Sequence, residues 1–277
     1  MRAGRPSVVG QVVTYVVLSL LAVLFLLPFA VILRNAFSSR ERIVAAEWSW
    51  VPDRLGTENL QALFANDGIG IAKSLINSTV VTLTQTVATV VVCLMAGFAL
   101  ARWEHRASRI ILGLTVFTLM VPATVTFLPS FIMTASLGWI DSYRGLVIPV
   151  MWSAFATFLF RQSFLGFPRE LEEAALLDGA NPWTTFWRIV VPPSTGIIGA
   201  VSVITFLGSW NGFLWPTLVS GDNTRTVQVA LSRFMTSQGV DYPMLFAGAL
   251  VATIPVLLVF LFLQRYLVQG TESSGID

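Results

Sequence analysis

The sequence predicts an all-α membrane protein with six transmembrane helices. Hydrophobic residues fill 55% of the 277 positions and charged residues only 12%. Mean hydropathy is +0.75, well above that of a water-soluble domain. Six apolar runs, at about 8–33, 72–101, 110–133, 145–160, 196–219 and 244–263, can cross the roughly 30 Å hydrocarbon layer as helices. No repeated block, low-complexity tract or soluble domain interrupts them, so 1–277 is expected to form a single membrane domain.

Composition also excludes several functions. The formal net charge is only +2, which gives no reason to expect a nucleic-acid partner. The one cysteine, Cys93, lies in an apolar run and reads as a small buried apolar side chain. The one histidine, His105, sits in a charged turn and cannot build a metal site with Cys93. Lys73-Ser74 ends like a phosphate-binding loop, but the motif needs glycines where this chain has Asp67 and Ala72. The chain is therefore not expected to bind ATP itself.

The first run follows Arg2 and Arg5 in the manner of a signal peptide. It is longer than a usual apolar core of such a peptide and no small-residue cleavage site closes it, so it reads as a retained helix. The polar stretch 34–71 follows, with Trp48 and Trp50 placed to lie at the membrane surface. The second run carries Thr79, Thr82, Thr84, Gln85, Thr86 and Thr89, which in lipid are expected to hydrogen-bond between helices. The short turn 102–109 holds three arginines against Glu104 and is expected to be cytoplasmic.

The third run contains Pro122 and Pro129, either of which breaks a helical ladder. Asp141 with Arg144 reads as a structural pair or a helix start in the next turn. The fourth run, the shortest, reaches Phe167 if the following apolar residues are counted. The fifth ends in Ser209-Trp210-Asn211-Gly212-Phe213-Leu214-Trp215-Pro216. Trp210 and Trp215 read as interfacial anchors or as aromatic faces for a solute, and Asn211 as a polar group on a substrate path. Between the fifth and sixth runs, Asp222, Arg225, Arg233 and Asp241 make a polar segment suited to an external protein contact.

Between the fourth and fifth runs lies a polar island at about 161–195 that is competent to form helices. Odd–even counting of spans puts it on the same side as the 102–109 turn. Glu170, Glu172 and Glu173 come early in a helix-forming stretch, where the helix dipole favours acids. Gly179 suits a left-handed C-terminal cap, Asn181 an N-cap and Pro182 a first helical position. The segment thus reads as two short helices, the second running from Trp183 to about Val191 and stopping before Pro192-Pro193. Such an island is either an ordinary solvated loop or a surface shown to a partner.

The order of its residues resembles the EAA loop of ATP-binding cassette (ABC) importer permeases. Glu173-Ala174-Ala175 is followed after three residues by Gly179, after nine more by Ile189 and after two more by Pro192. Val191 stands where the family usually has Leu. Elsewhere Trp50-Val51-Pro52, Asn59-Leu60, 96–102, Met120-Val121-Pro122, Leu137-Gly138, 145–149 and 209–216 are similar to the maltose-type (MalG-like) sugar branch, although Gly212 replaces a usual acid. The exit 264–270 is also similar, whereas the tail 271–277 is more acidic than the family form.

The resemblance implies a MetI-like type I ABC importer permease fold in a bacterial inner (plasma) membrane, with both termini cytoplasmic. It implies an outer loop at 34–71, a cytoplasmic coupling loop at 161–195 and a cytoplasmic tail at 265–277. Its partners would be a second permease subunit, two ABC ATPase subunits inside and a sugar-binding protein outside. ATP and Mg would be used by the ATPase subunits, with no cofactor and no catalytic residue on this chain. Coupling would rest on Glu173, Ala174, Ala175, Asp178, Gly179, Ile189 and Pro192. The substrate class left open spans disaccharides, oligosaccharides and glycerol phosphate esters. The competing class is an ion-coupled secondary transporter acting alone, which usually shows inverted repeats and embedded charges, neither seen here. An intramembrane enzyme would need a nucleophile and base or metal ligands at membrane depth, which a lone histidine does not provide.

Overall fold

The computed structural model describes residues 8–53, 56–237 and 239–272. Arg2, Arg5 and tail residues 273–277 lie outside the described residues. The chain divides into two compact units, one from 1–71 with 231–253 and one from 72–230 with 254–277.

The first unit begins with α1 (Val8–Ala36), apolar on every side and exposed along its whole spanning stretch. A helix of this kind belongs in lipid or against another membrane helix. Its C-terminal end is tied down by polar contacts. Arg34 donates to Asn35 Oδ1 at 2.6 Å and to the Arg42 carbonyl at 3.3 Å, with its guanidinium 4.9 Å from the Trp48 ring centre. Two short helices follow, α2 (Arg40–Ile43), capped by Ser39, and α3 (Glu58–Ala65). Asn59 donates from Nδ2 to the carbonyls of Ala36 and Ser38, at 2.9 and 3.0 Å, so it closes the end of α1.

The second unit is organised along α4 (Ile71–Arg102), 32 residues and about 48 Å at 1.5 Å per residue. The third apolar run is not one helix. α5 (Arg106–Met120) and α6 (Ala123–Ser136) meet at 103°. The break is at Pro122, whose ring forces Val121 into an extended conformation, ψ 118°. Pro129 lies within α6 without ending it. The fourth run is bent as well, by 47°, between α7 (Tyr143–Val147) with its following 3₁₀ turn and α8 (Ala154–Leu165).

After α8 come α9 (Arg169–Leu177), α10 (Pro182–Thr185) and α11 (Thr195–Trp210). The fifth run was expected to be continuous to 219. Instead α11 stops at Asn211-Gly212, where the Gly212 N–H turns back to the Ser209 carbonyl at 3.1 Å, and α12 (Leu214–Val219) follows separately. α13 (Val227–Ser232) leads to a two-stranded hairpin, β1 (Met235–Thr236) with β2 (Gly239–Val240), and then to α14 (Tyr242–Glu272). Four described helices are long and apolar enough to cross a membrane, and counting each bent pair as one span gives six.

α4 and α8 approach unusually closely at Gly97. A Cβ there would stand 2.7 Å from Phe160 Cβ and 2.9 Å from the Arg161 backbone nitrogen. Small residues permit such backbone contact in membranes. Gly97→Val is expected to cost about 1–3 kcal/mol through overpacking. Gly113→Val, with nothing within 4 Å of the added carbon, should be neutral. Thermal unfolding of the two purified variants in the same detergent checks the contrast.

Candidate functional site

The polar island folds as a helical hairpin whose turn is dictated by one glycine. α9 ends in a Schellman motif: the Gly179 N–H donates to the Leu176 carbonyl at 3.0 Å and the Ala180 N–H to the Ala175 carbonyl at 2.9 Å. Gly179 has φ +85°, a conformation that costs an L-residue about 1–2 kcal/mol. Asn181 then caps α10, accepting the Thr184 N–H on Oδ1 at 2.8 Å, with Pro182 in the first turn. The second helix ends close to the expected Val191, but only its first part is α-helical. Residues Phe186–Val190 widen into a π turn, closed by the Val191 N–H on the Phe186 carbonyl at 3.0 Å. Pro192 and Pro193 lack the N–H groups that would extend an α ladder onto Arg188 and Ile189, so the extra residue is accommodated before them.

One face of the hairpin is packed and the other is open. Ala175 is buried and Ile189 half-buried, while Glu173, Ala174, Asp178, Gly179 and Pro192 are exposed. Leu177 is 90% exposed and Trp183 60%, unusual for apolar side chains on a polar segment. Beneath, Phe98 meets Phe164 edge-on at 5.6 Å and Phe186 at 4.8 Å, and Phe186 meets Trp187 at 4.9 Å. Arg102, the last residue of α4, grips the hairpin's root. Its Nε donates to Glu172 Oε1 at 2.8 Å, and its terminal nitrogens donate to the carbonyls of Phe164 at 2.8 Å and Phe167 at 3.1 Å. Both partners of this ion pair are largely withdrawn from solvent.

The three residues named for a solute path sit in different surroundings. Trp210 is 2% exposed and stacked on Phe206 at 5.9 Å, so its ring face is already taken. Trp215 donates its indole N–H to the Gly145 carbonyl at 3.1 Å and meets Phe127 edge-on at 6.0 Å, tying α12 to α7. Asn211 caps the C-terminal end of α11 and its side chain is exposed.

The sequence profile described as "Binding-protein-dependent transport system inner membrane component" matches residues 90–273. The chain belongs to this family. This permease is 35% identical to the arabinooligosaccharides transport system permease protein AraQ of Bacillus subtilis, over 93% of this chain and 92% of that one. It is 31% identical to the lactose transport system permease protein LacG of Rhizobium radiobacter, over 95% and 96%. It is 32% identical to the sn-glycerol-3-phosphate transport system permease protein UgpE of Yersinia pestis, over 94% and 95%. Among solved structures, its fold matches a chain of a bacterial ABC transporter involved in the import of alginate, with TM-score 0.81 and 22% identity over 93% of this chain and 96% of that one. A second match, at TM-score 0.56 and 17% identity over 92% and 93%, is to a chain of a bacterial alginate ABC transporter in complex with a periplasmic protein bound to alginate pentasaccharide.

The permease has a second polar centre that the sequence did not reveal. Asp141 does not pair with Arg144. It turns to the 219–224 segment, donating its N–H to the Val219 carbonyl at 2.8 Å. Its carboxylate accepts from the N–H groups of Gly221, Asn223 and Thr224, from Asn223 Nδ2 at 2.9 Å and from the Thr224 hydroxyl at 2.8 Å. Gly221 is required there, since a Cβ would fall 2.6 Å from the carboxyl carbon of Asp141. Nearby, Asn77 of α4 donates to the carbonyls of Asn223 and Arg225, both at 3.0 Å, and accepts from the Tyr143 hydroxyl at 2.6 Å. Arg225 is also placed differently from the sequence expectation. It is 6% exposed and paired with Asp222, so it is a tether of this segment and not an open surface charge.

Burial pushes the Asp141 pKa up, but the bonds from the Thr224 hydroxyl and the backbone N–H groups of Asn223, Gly221 and Thr224 outweigh it, leaving the carboxyl below its ordinary value of 3.8. A carboxyl depressed in the folded state stabilises the fold fully above its unfolded pKa. That contribution fades as pH falls from 3.8 through the lower folded value. Asp141→Asn tolerates the positive φ of 52° but loses the charge. Its Tm deficit relative to wild type should be full at neutral pH and shrink as pH falls below about 3.8. A deficit unchanged between pH 7 and pH 3 would mean the charge does not hold this segment.

Proposed function

We propose that this permease subunit belongs to an ATP-driven ABC importer for a saccharide or a related polyol derivative, and that the α9–α10 hairpin couples it to ATPase subunits. Its two compact units would act as one permease domain. Partner subunits are a second permease, two ATPase subunits on the cytoplasmic side and an extracytoplasmic solute-binding protein. ATP and Mg are used in the ATPase subunits. The hairpin and both termini face the cytoplasm. The names of the relatives, with their arabinooligosaccharide, lactose and glycerol-3-phosphate systems, support a carbohydrate-type substrate without selecting one.

The observation that carries the coupling role is the hairpin's two-sided construction. Its root is fixed by Arg102, Glu172 and the aromatic cluster, while Leu177, Trp183, Glu173 and Asp178 stand out from it. A rigid projection with an apolar tip flanked by acids suits insertion into a basic-rimmed cleft. Glu173 would pair with a cation there, and Gly179 would set the angle between α9 and α10. ATP-driven closure of the ATPases would move the tip, and the root would pass that motion to α4 and α8. Path opening and closing would follow by alternating access, with Asn211 meeting the solute.

Two outcomes test this. Leu177→Asp should strip the ATPase subunits from the tagged permease during purification in mild detergent, because it places a charge in the apolar contact. Gly179→Ala should retain them yet lower transport-coupled ATP hydrolysis, because the turn is strained by about 1–2 kcal/mol. Full subunit recovery and wild-type coupling in both variants would remove the hairpin from the mechanism.

Asn211→Leu is expected to raise the KM for uptake with assembly intact. Losing a hydrogen bond to substrate costs about 0.5–1.5 kcal/mol, or roughly two- to tenfold. Unchanged uptake kinetics would return Asn211 to its capping role alone.

A further inference from the structure

A cavity of about 370 Å³ lies where α4 ends, α5 begins and α8 passes into α9. It does not belong to the hairpin tip, the solute path or the Asp141 centre. Its lining carries three guanidinium groups, from Arg109, Arg161 and Arg169, against one carboxylate, Glu104. Arg161 is aimed by a bond from Nε to the Leu100 carbonyl at 3.2 Å. Arg169 meets Glu104 at 2.7 Å, but both side chains are more than half exposed, so that pair is weak and open to competition. Leu112 and Leu165 supply an apolar wall, and Trp103 at the cavity is 66% exposed.

We infer that this cavity is a binding site for the phosphodiester of an acidic membrane phospholipid. The inference rests on the reading that puts the 102–109 turn and the hairpin on the cytoplasmic side. Planar guanidinium groups favour phosphate oxygens through paired N–H bonds, and they outnumber the single acid. The cavity sits at the ends of two apolar helices, where headgroups lie, and Leu112 and Leu165 give it an apolar side for the start of an acyl chain. An exposed tryptophan beside it suits the same interfacial depth. Basic pockets between membrane helices on the cytoplasmic side recognise anionic headgroups in this way. Arg169 opens α9, so an occupant touches the first turn of the hairpin's first helix. A free phosphate ion presents the same oxygens but would gain nothing from the apolar wall.

The test uses the assembled importer in phosphatidylcholine nanodiscs with a minor fraction of phosphatidylglycerol. Lipid retained after detergent extraction is counted by mass spectrometry. Wild type should retain phosphatidylglycerol in preference to phosphatidylcholine. Arg109→Gln, at an exposed position, should lower that preference about fivefold, and the double variant with Arg161→Gln further. Arg109→Lys, which keeps the charge but loses the planar fork, should fall between wild type and Arg109→Gln. Millimolar inorganic phosphate should not displace the lipid. Equal preference in wild type and variants would overturn the site. Displacement by phosphate would reassign it to a free anion. Loss of ATPase subunits with lipid retention unchanged would assign these arginines to a protein interface instead. The lipid count needs no ATP hydrolysis, so its failure and a failure of coupling are separate results.

Discussion

Arg102 carries five N–H donors and no acceptor, and it directs them to three separate parts of the chain. They reach the Glu172 carboxylate on α9, the carbonyl of Phe164 in the last turn of α8 and that of Phe167 just beyond it. The Phe164 carbonyl also accepts the Phe167 N–H at 3.2 Å, so the guanidinium reinforces a turn that the backbone already closes. One side chain therefore braces the end of α8, sets where α9 starts and fixes both to the end of α4. Removing either member of a mostly buried pair typically costs about 3–5 kcal/mol, since the remaining charge is stranded. The hairpin turn at Gly179 is stereochemically self-contained, but its position relative to the membrane helices depends on this guanidinium.

At the other end of α4 the same problem is solved with the charges reversed. There the irregular segment 219–227 has N–H groups to satisfy, and an anion, Asp141, collects them. Asn77 and Ser78 bring that segment to α4, the latter accepting the Val227 N–H at 2.7 Å. Between the two ends, Gln85 accepts from Ser209 of α11 at 2.7 Å, and Gly97 allows close contact with α8. Asn77, Ser78, Gln85 and Arg102 thus tie α4 to neighbouring segments at both ends and in between, which suits a helix that must keep its neighbours in register through lipid.

Much of this was legible in the sequence, and the physical reason is locality. The extents of α4 and the Gly179–Asn181–Pro182 punctuation depend on residues within a turn or two of each other. Hydropathy and cap chemistry are therefore enough to place them. Of the polar side chains of the second run expected to bond between helices, Gln85 does so with Ser209, whereas Thr79 returns its hydroxyl to the Leu75 carbonyl of its own helix and the buried hydroxyls of Thr86 and Thr89 have no hydrogen-bond partner among the described residues. The bends were half legible. Pro122 and Pro129 look alike in sequence, yet only Pro122 ends a helix. The fifth run was overextended and the second hairpin helix was read as uniform, because apolar composition does not report a break at Asn211-Gly212 or a π turn. Arg102 with Glu172 and Asp141 with 221–224 were not legible at all. Their partners lie 70 and about 80 residues away, and an arginine at a helix end looks the same whether it faces water or grips a loop.

Cys93 shows how a residue without expected chemistry supports a broken span. Its sulfur lies 3.4 Å from both the N–H and the carbonyl of Ser153, at the bend that precedes α8. Backbone groups freed by a break at membrane depth must find partners within the protein. Here a weak, polarisable group on α4 meets one such residue. Trp215 does the same for the Gly145 carbonyl in α7. Ties of this kind keep a bent span attached to its neighbours, and the bond to the Cys93 sulfur is weaker than the charge-assisted bonds of Arg102. In the proposed coupling, the grip of Arg102 would pass displacement of the hairpin into α4 and α8.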